Sequence, residues 1–297
     1  MKRLTTLTAI VSALTASLAF AGAAAAAAGG EHYDFQKQKW SFSGFTGQYD
    51  KNQLQRGFQV YQQACSACHG MQRVKWRNLV ENGGPQFPED AVKKLAAEWP
   101  NQPLAGPNDE GLIADKKGNL LTRVATPADP ILGPYRNEKE ARAAQNGALP
   151  PDLSLIVKAR SIHEVPVWYV HVGKMMSEIG RGYQESGADY LYNLLTAYAD
   201  APAGVKMSDG MYYNKAYPGN QIGMPAPLQK DNPIVYENGK GTHEDNVRDV
   251  SAYLAWAADP KLNERKATGW YVMLYLLITT VLLYLGKKAV WSRVGGH

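Results

Sequence analysis

Cys65-Ser66-Ala67-Cys68-His69 places two thiols three positions apart, with an imidazole directly after the second. Covalent haem attachment needs that pattern. Each thiol can add across one of the two vinyl groups on a haem edge, and the histidine can turn under the iron as proximal ligand. Two other chemistries use a bare Cys-x-x-Cys. A thioredoxin-like dithiol belongs in a βαβ unit, and half of a zinc site needs a second Cys/His pair at short spacing. The sequence offers neither context. Both of its 2 cysteines lie in the motif, so none remains for a disulfide. An exported body would then rely on packing and a buried cofactor for stability. An anchored scaffold whose thiols hold no haem is the structural alternative.

Iron held by His69 has one further axial place. Left open, it would suit a haem peroxidase or a gas-binding sensor; closed by a thioether, it would suit electron transfer at a raised potential. Met71 is too close in sequence to reach the far face. Met175, Met176, Met207, Met211 and Met224 remain, with His163, His171 and His243 as competing ligands. Met224 lies in Tyr217-Pro218-Gly219-Asn220-Gln221-Ile222-Gly223-Met224-Pro225-Ala226-Pro227. There Gly223 permits close backbone approach, and the prolines stiffen the loop. Spacing alone leaves the choice open.

The elements that must position these groups read as helices and loops. Residues 29–49 form an extended, packed arm rich in aromatic residues. Asp50 with Gln53 three positions on resembles a capping box, opening a helix to about residue 63 that delivers the chain into Cys65. Residues 71–80 are expected to be a second helical piece, broken by Asn82-Gly83-Gly84-Pro85. Residues 91–98, 138–146, 153–160 and 188–199 read as further helices, and Thr242 with Asp245 caps one from 243 to 258, stopped by Pro260. The prolines between residues 100 and 151 predict ordered loops wrapped on a rigid object, for which the haem is the obvious candidate. Residues 161–187 are ambiguous, interrupted by Pro166, Gly173, Gly180, Gly182 and Gly187.

Targeting features frame this body. Residues 1–28 read as a cleaved signal peptide, with Lys2 and Arg3 before an apolar stretch and a polyalanine cleavage region. Residues 267–286 are uncharged and long enough to span a bilayer, with Trp270, Tyr271 and Tyr284 near the ends. Cationic flanks are balanced, so the signal peptide sets the orientation: residues 29–266 in the periplasm and 287–297 as a cytoplasmic tail. The net charge of +5 is accounted for by Lys2, Arg3, Lys287, Lys288 and Arg293. A balanced body excludes an electrostatic case for nucleic acid.

Three stretches carry a resemblance to a known family. Arg56-Gly57-Phe58-Gln59-Val60-Tyr61 leading into the cysteine motif is similar to the cytochrome c1 family. So are Ala141-Arg142-Ala143-Ala144-Gln145-Asn146-Gly147-Ala148-Leu149-Pro150-Pro151-Asp152-Leu153-Ser154 and the loop ending in Met224. The resemblance covers most of residues 33–294. It implies an all-α, cytochrome c-like haem domain with long ordered loops and one C-terminal transmembrane helix. It also implies one covalent haem c on Cys65 and Cys68, His69 and Met224 as axial ligands, Pro151 against the haem, and Arg160 paired with a propionate. The implied activity is that of the electron-transfer subunit of a cytochrome bc1 (quinol–cytochrome c oxidoreductase) complex in a bacterial inner membrane. Implied partners are cytochrome b, a Rieske iron–sulfur protein, a cytochrome c acceptor, membrane lipid and a second copy of the complex in a dimer. Residues 161–187 look longer than the corresponding connection in the family's mitochondrial proteins, and the acidic stretch at Asp109, Glu110 and Asp115 is diluted by Lys116 and Lys117. A membrane-anchored cytochrome feeding a terminal oxidase is the alternative within the same class.

Overall fold

The computed structural model describes residues 33–99, 104–105, 122–162, 172–173, 176–177, 185–236, 239 and 241–292. The signal segment, residues 109–117, most of 161–187, and the candidate ligands His163, His171 and Met175 lie outside the described residues.

Asp50 does open a helix. Its side chain accepts from Gln53 N at 2.7 Å, starting α1 (Lys51–Val60). A π-helical turn, Tyr61–Cys65, carries the chain on into the cysteine motif. Gln53 does not reach back to close the box. Its amide donates instead to Asp249 Oδ1 at 3.1 Å, on the helix that α1 packs against. That partner is α6 (His243–Ala258), which starts on a reciprocal Thr242–Asp245 capping box.

The α1–α6 contact is the core of the body. A Cβ on Gly57 would fall 2.1 Å from the Asp249 carbonyl oxygen, so only glycine lets the two backbones approach this closely. Beside it Arg56 grips Asp249 through Nε–Oδ2 at 2.7 Å and Nη2–Oδ1 at 3.2 Å. The paired faces bury Leu54, Phe58, Tyr61, Val250, Tyr253 and Trp256, the aromatic residues in contact ring to ring. The two helices thus meet through a glycine notch and an ion pair, both at Asp249.

The other helices are α2 (Glu89–Glu98), α3 (Glu138–Ala144), α4 (Ile156–Ala159), α5 (Glu185–Thr196) and α7 (Leu262–Trp291). Of these, α4 and α5 pack on α6. The N-terminal arm lies along α5: Gln38 N and Trp40 Nε1 donate to buried Asp189, and Gln36 exchanges two bonds with Asn193.

Residues 71–80 are a correction. They form β1 (Met71–Lys75) and a 3-10 turn (Trp76–Leu79), not a helix. Apolar Met71, Val74 and Leu79 mimic helical spacing. The decision is tertiary: β1 pairs antiparallel with β4 (Pro130–Ile131), and Trp76 N and Arg77 N donate to Asp129 O and Pro127 O. Asp129 ties that loop together, accepting from the Arg123 guanidinium at 2.5 and 2.7 Å and from Thr126 N at 2.7 Å. Two more ribbons, β2 (Leu104–Ala105) with β3 (Thr122–Arg123) and β5 (Tyr212–Tyr213) with β6 (Gln221–Ile222), complete a mostly helical fold.

α7 is longer at both ends than the uncharged run 267–286. Among the described residues it is the one helix long and apolar enough to cross a membrane. Its first residue, Leu262, is fully buried in the body.

Candidate functional site

The motif is shaped by backbone bonds. Cys68 N and His69 N both donate to Cys65 O, at 3.1 and 2.9 Å, and Ser66 N reaches back to Tyr61 O at 2.9 Å. Tyr61 turns its hydroxyl forward onto His69 O at 3.1 Å. The chain then leaves through Gly70, whose Cβ position would lie 2.4 Å from Gly133 N. Two glycines distant in sequence therefore let the proline-rich loop run against the motif. Sequence inspection passed over this pair, and each glycine's place beside a chemistry-bearing or turn-forming stretch is the signal that could have found it.

A second segment is stitched on from the other side. Leu153 N donates to Gly70 O at 2.9 Å, Gln72 N to Asp152 Oδ2 at 2.7 Å, and Arg73 N to Ser154 Oγ at 3.0 Å. These bonds set Pro151 O 2.7 Å from His69 Nδ1. A carbonyl can only accept, so Nδ1 carries the proton and Nε2 keeps its lone pair for a metal. Burial lowers the His69 pKa from its usual value, against opposing contributions from the Pro151 bond and the Asp152 charge. Burial favours the neutral imidazole, and the Pro151 bond orients it.

Cys65 and Cys68 are half-buried and unbridged. Burial, then the neighbouring Cys68, pushes the Cys65 thiol up to about 12. A redox dithiol needs the opposite shift. Among the described residues no group of three His, Cys, Asp or Glu side chains is placed to cage a metal ion, so a zinc tetrahedron finds no second pair there. Gln145 Nε2 donates to Tyr135 OH at 2.6 Å and lies 3.6 Å from Cys68 Sγ.

Met224 belongs to a loop docked on the same stitched segment. Gly219 and Asn220 take positive φ, +79° and +59°, to turn it. Fully buried Asn214 fixes its base, donating Nδ2 to Leu194 O at 2.7 Å and N to Asn220 O at 3.0 Å. Tyr198 OH donates to Met224 O at 3.0 Å. A Cβ on Gly223 would touch Ala148 Cβ at 3.3 Å, so Met224 follows a residue pressed onto the strand of chain that holds His69. Met224 is half-buried against the core, whereas Met211 in the same cluster is 42% exposed and Met176 is 63% exposed. Met207 is partly buried and Met71 fully so. His243 starts α6 with neither ring nitrogen hydrogen-bonded.

Pro151 contributes its carbonyl, its own ring being exposed. Arg160 caps the C-terminus of α4 as an exposed cation, its charge felt by Tyr190 and with no ion-pair partner among the described residues.

This set fits haem by its donor chemistry: two thiols, a neutral imidazole with a free Nε2, a thioether and a guanidinium. A mostly helical body bearing that corner, continued into one long apolar helix, defines a membrane-anchored haem protein. Residues 40–294 match the Cytochrome C1 family. The chain is 42% identical to cytochrome c1 of Blastochloris viridis, over 95% of its own length and 94% of the relative's. It is 40% identical to cytochrome c1 of Rhodospirillum rubrum, over 93% and 94%. It is also 39% identical, over 86% of its length, to a protein named cytochrome b/c1 of Bradyrhizobium diazoefficiens, of which it covers 35%. The chain belongs to the cytochrome c1 family, and is accordingly a haem-carrying protein of respiratory electron transport.

Proposed function

We propose that the chain is the electron-transfer subunit of a cytochrome bc1 complex, receiving single electrons from a Rieske iron–sulfur protein and passing them to a soluble or tethered cytochrome c. Cytochrome b is its neighbour in the membrane, a pairing supported by the relative whose name joins b and c1. The complex is dimeric in this reading.

Bound haem supplies a one-electron iron couple and nothing else is asked of it. Cys65 and Cys68 attach it as thioethers. His69 offers Nε2, with Nδ1 held by Pro151 O 2.7 Å away. Met224 offers its thioether from the loop pressed on Ala148. Arg160, without an ion-pair partner among the described residues, would pair with a propionate, a guanidinium being matched to a carboxylate. No residue here makes or breaks a substrate bond. Residues 1–28 serve as a cleaved signal, 29–266 as the periplasmic body, 267–286 as the single span of a bacterial inner membrane, and 287–297 as the cytoplasmic tail.

The observation that carries the reading is the Pro151–His69 bond, which prepares an imidazole for iron in a chain of this family. The test is an alkaline pyridine haemochrome of the purified protein together with co-purification from membranes. A c-type spectrum, and recovery with cytochrome b and an iron–sulfur protein, is expected. A protein without covalent haem, or one that purifies alone from intact membranes, would defeat it.

A further inference from the structure

Residues 41–48 form a small closed loop between the N-terminal arm and α1. Gln48 N donates to Ser41 O at 3.0 Å and Ser43 N to Trp40 O at 3.2 Å. Gly44 adopts φ +70°, and a Cβ on Gly47 would strike Ser43 O at 2.0 Å, so both glycines are required for the tight turn. The base of the loop is aromatic and buried: Trp40 stacks on Phe42, and Phe42 packs on Tyr49. The tip is aromatic too, yet Phe45 is 70% exposed. The ring is turned to the outside while Trp40, Phe42 and Tyr49 at the base are buried.

The loop is tied to the membrane helix. Lys266 Nζ donates to Phe42 O at 2.6 Å, Gly44 O at 2.5 Å and Gly47 O at 3.1 Å. Next to it, Tyr49 N donates to Asn263 Oδ1 at 3.1 Å. Lys266 is the last charged residue before the uncharged run, and Trp270 follows it one helical turn later on the same face, about 6 Å along the axis. Trp270 and Tyr271, 61% and 76% exposed, stand where an aromatic belt marks the membrane–water boundary. A lysine at that level usually extends its ammonium to water or headgroups. Here the carbonyls of the Phe45 loop receive it.

From this geometry we infer that the Phe45 loop is a second membrane contact, the phenyl ring entering the headgroup–acyl boundary of the bilayer beside α7. The occupant is lipid. The loop is bonded to the spanning helix at Lys266, one turn before the aromatic belt, and presents one apolar ring flanked by Gly44, Thr46 and Gly47, small enough not to obstruct insertion. Two membrane contacts at one end of the body would fix its tilt as well as its tether.

The inference rests on α7 spanning the membrane, and the experiment separates the two. Spin labels are placed at Phe45→Cys, Val235→Cys and Leu277→Cys in the full-length haem protein reconstituted in phosphatidylcholine–phosphatidylglycerol vesicles, with unsubstituted protein as the labelling blank. Relaxation by oxygen is compared with relaxation by a water-soluble nickel chelate. The oxygen-to-nickel ratio at 45 should exceed that at exposed Val235 several-fold and lie towards that at 277. A ratio at 45 equal to that at 235, with 277 lipid-like, overturns the inference alone. Water-like ratios at both 45 and 277 overturn the anchor and the inference together. A label at 45 that is shielded only in the assembled complex, and not in vesicles, also overturns it by showing that protein covers the ring.

Discussion

The carbonyl oxygen of Pro151 lies 2.7 Å from His69 Nδ1 although 82 positions separate the two residues. Nothing local holds Pro151 there. The bond depends on Asp152, whose two carboxylate oxygens accept from Gln72 N and Ser154 N. Asp152→Ala should leave Gln72 N to solvent and part-buried Ser154 N unpaired, costing about 1 kcal/mol, read by denaturant unfolding. It should also weaken the hydrogen bond that makes the imidazole a better donor to ferric iron, so the reduction potential should rise. A stability loss with an unchanged potential would show that Pro151 O does not depend on the stitch.

Met224 and Met211 share a loop cluster but differ in burial. Met224→Leu should keep covalent haem, abolish the red-edge absorption of thioether-bound ferric iron, admit CO to the reduced protein and lower the potential. Met211→Leu should change none of these. The reverse pattern would transfer the ligand to Met211.

Gly57 carries the helix contact. Gly57→Ala should push the Asp249 backbone away and cost about 1–3 kcal/mol or more, lowering the urea midpoint. Gly269→Ala, where a Cβ meets nothing within 4 Å, is the control expected to leave the midpoint in place.

The proline-rich loop should be acid-sensitive. The Arg123 guanidinium first, then bonds from Thr126, holds the Asp129 carboxyl well below the usual carboxylate range. A depressed folded-state value stabilises the protein above the unfolded pKa of about 4, and that contribution is lost as pH falls through and below it. Asp129→Asn should therefore cost roughly 1–2 kcal/mol at neutral pH, discounted for the part-exposed arginine, and flatten stability below about pH 4. A wild-type acid limb retained in Asp129→Asn would assign the sensitivity elsewhere.

Truncation tests where body ends and anchor begins. A stop after Thr268 keeps buried Leu262 and the Lys266 contacts, and should release a soluble body of undiminished stability. A stop before Leu262 should also be soluble but weaker by about 2–5 kcal/mol, the scale of an emptied leucine site. Membrane fractionation and thermal melts distinguish them.

What could be read from the residues was largely what is decided locally. Asp50 and Thr242 announce α1 and α6 because a cap needs only the next three residues. The uncharged run announces α7 for the same reason. Residues 71–80 misled because their apolar spacing fits two periods, and the choice was made by Pro130–Ile131, which no window on 71–80 contains. Gln53 resembled a box partner, but α6 offered it Asp249. At the site, the cysteine motif and the Met224 loop were legible as chemistry, whereas Asp152, Tyr61, Asn214 and the Gly70–Gly133 approach act through distant backbone atoms. Arg160 was named from family resemblance alone, and the structure gives it an exposed position without a protein counter-ion among the described residues.

α6 ends at Ala258 and α7 begins at Leu262, already buried in the body, with Lys266 held by three backbone carbonyls a turn later. The three residues between domain and stalk are thus braced from both sides. Swinging of the body on its anchor would first have to break those contacts, so the orientation of the body is inherited from the tilt of the helix.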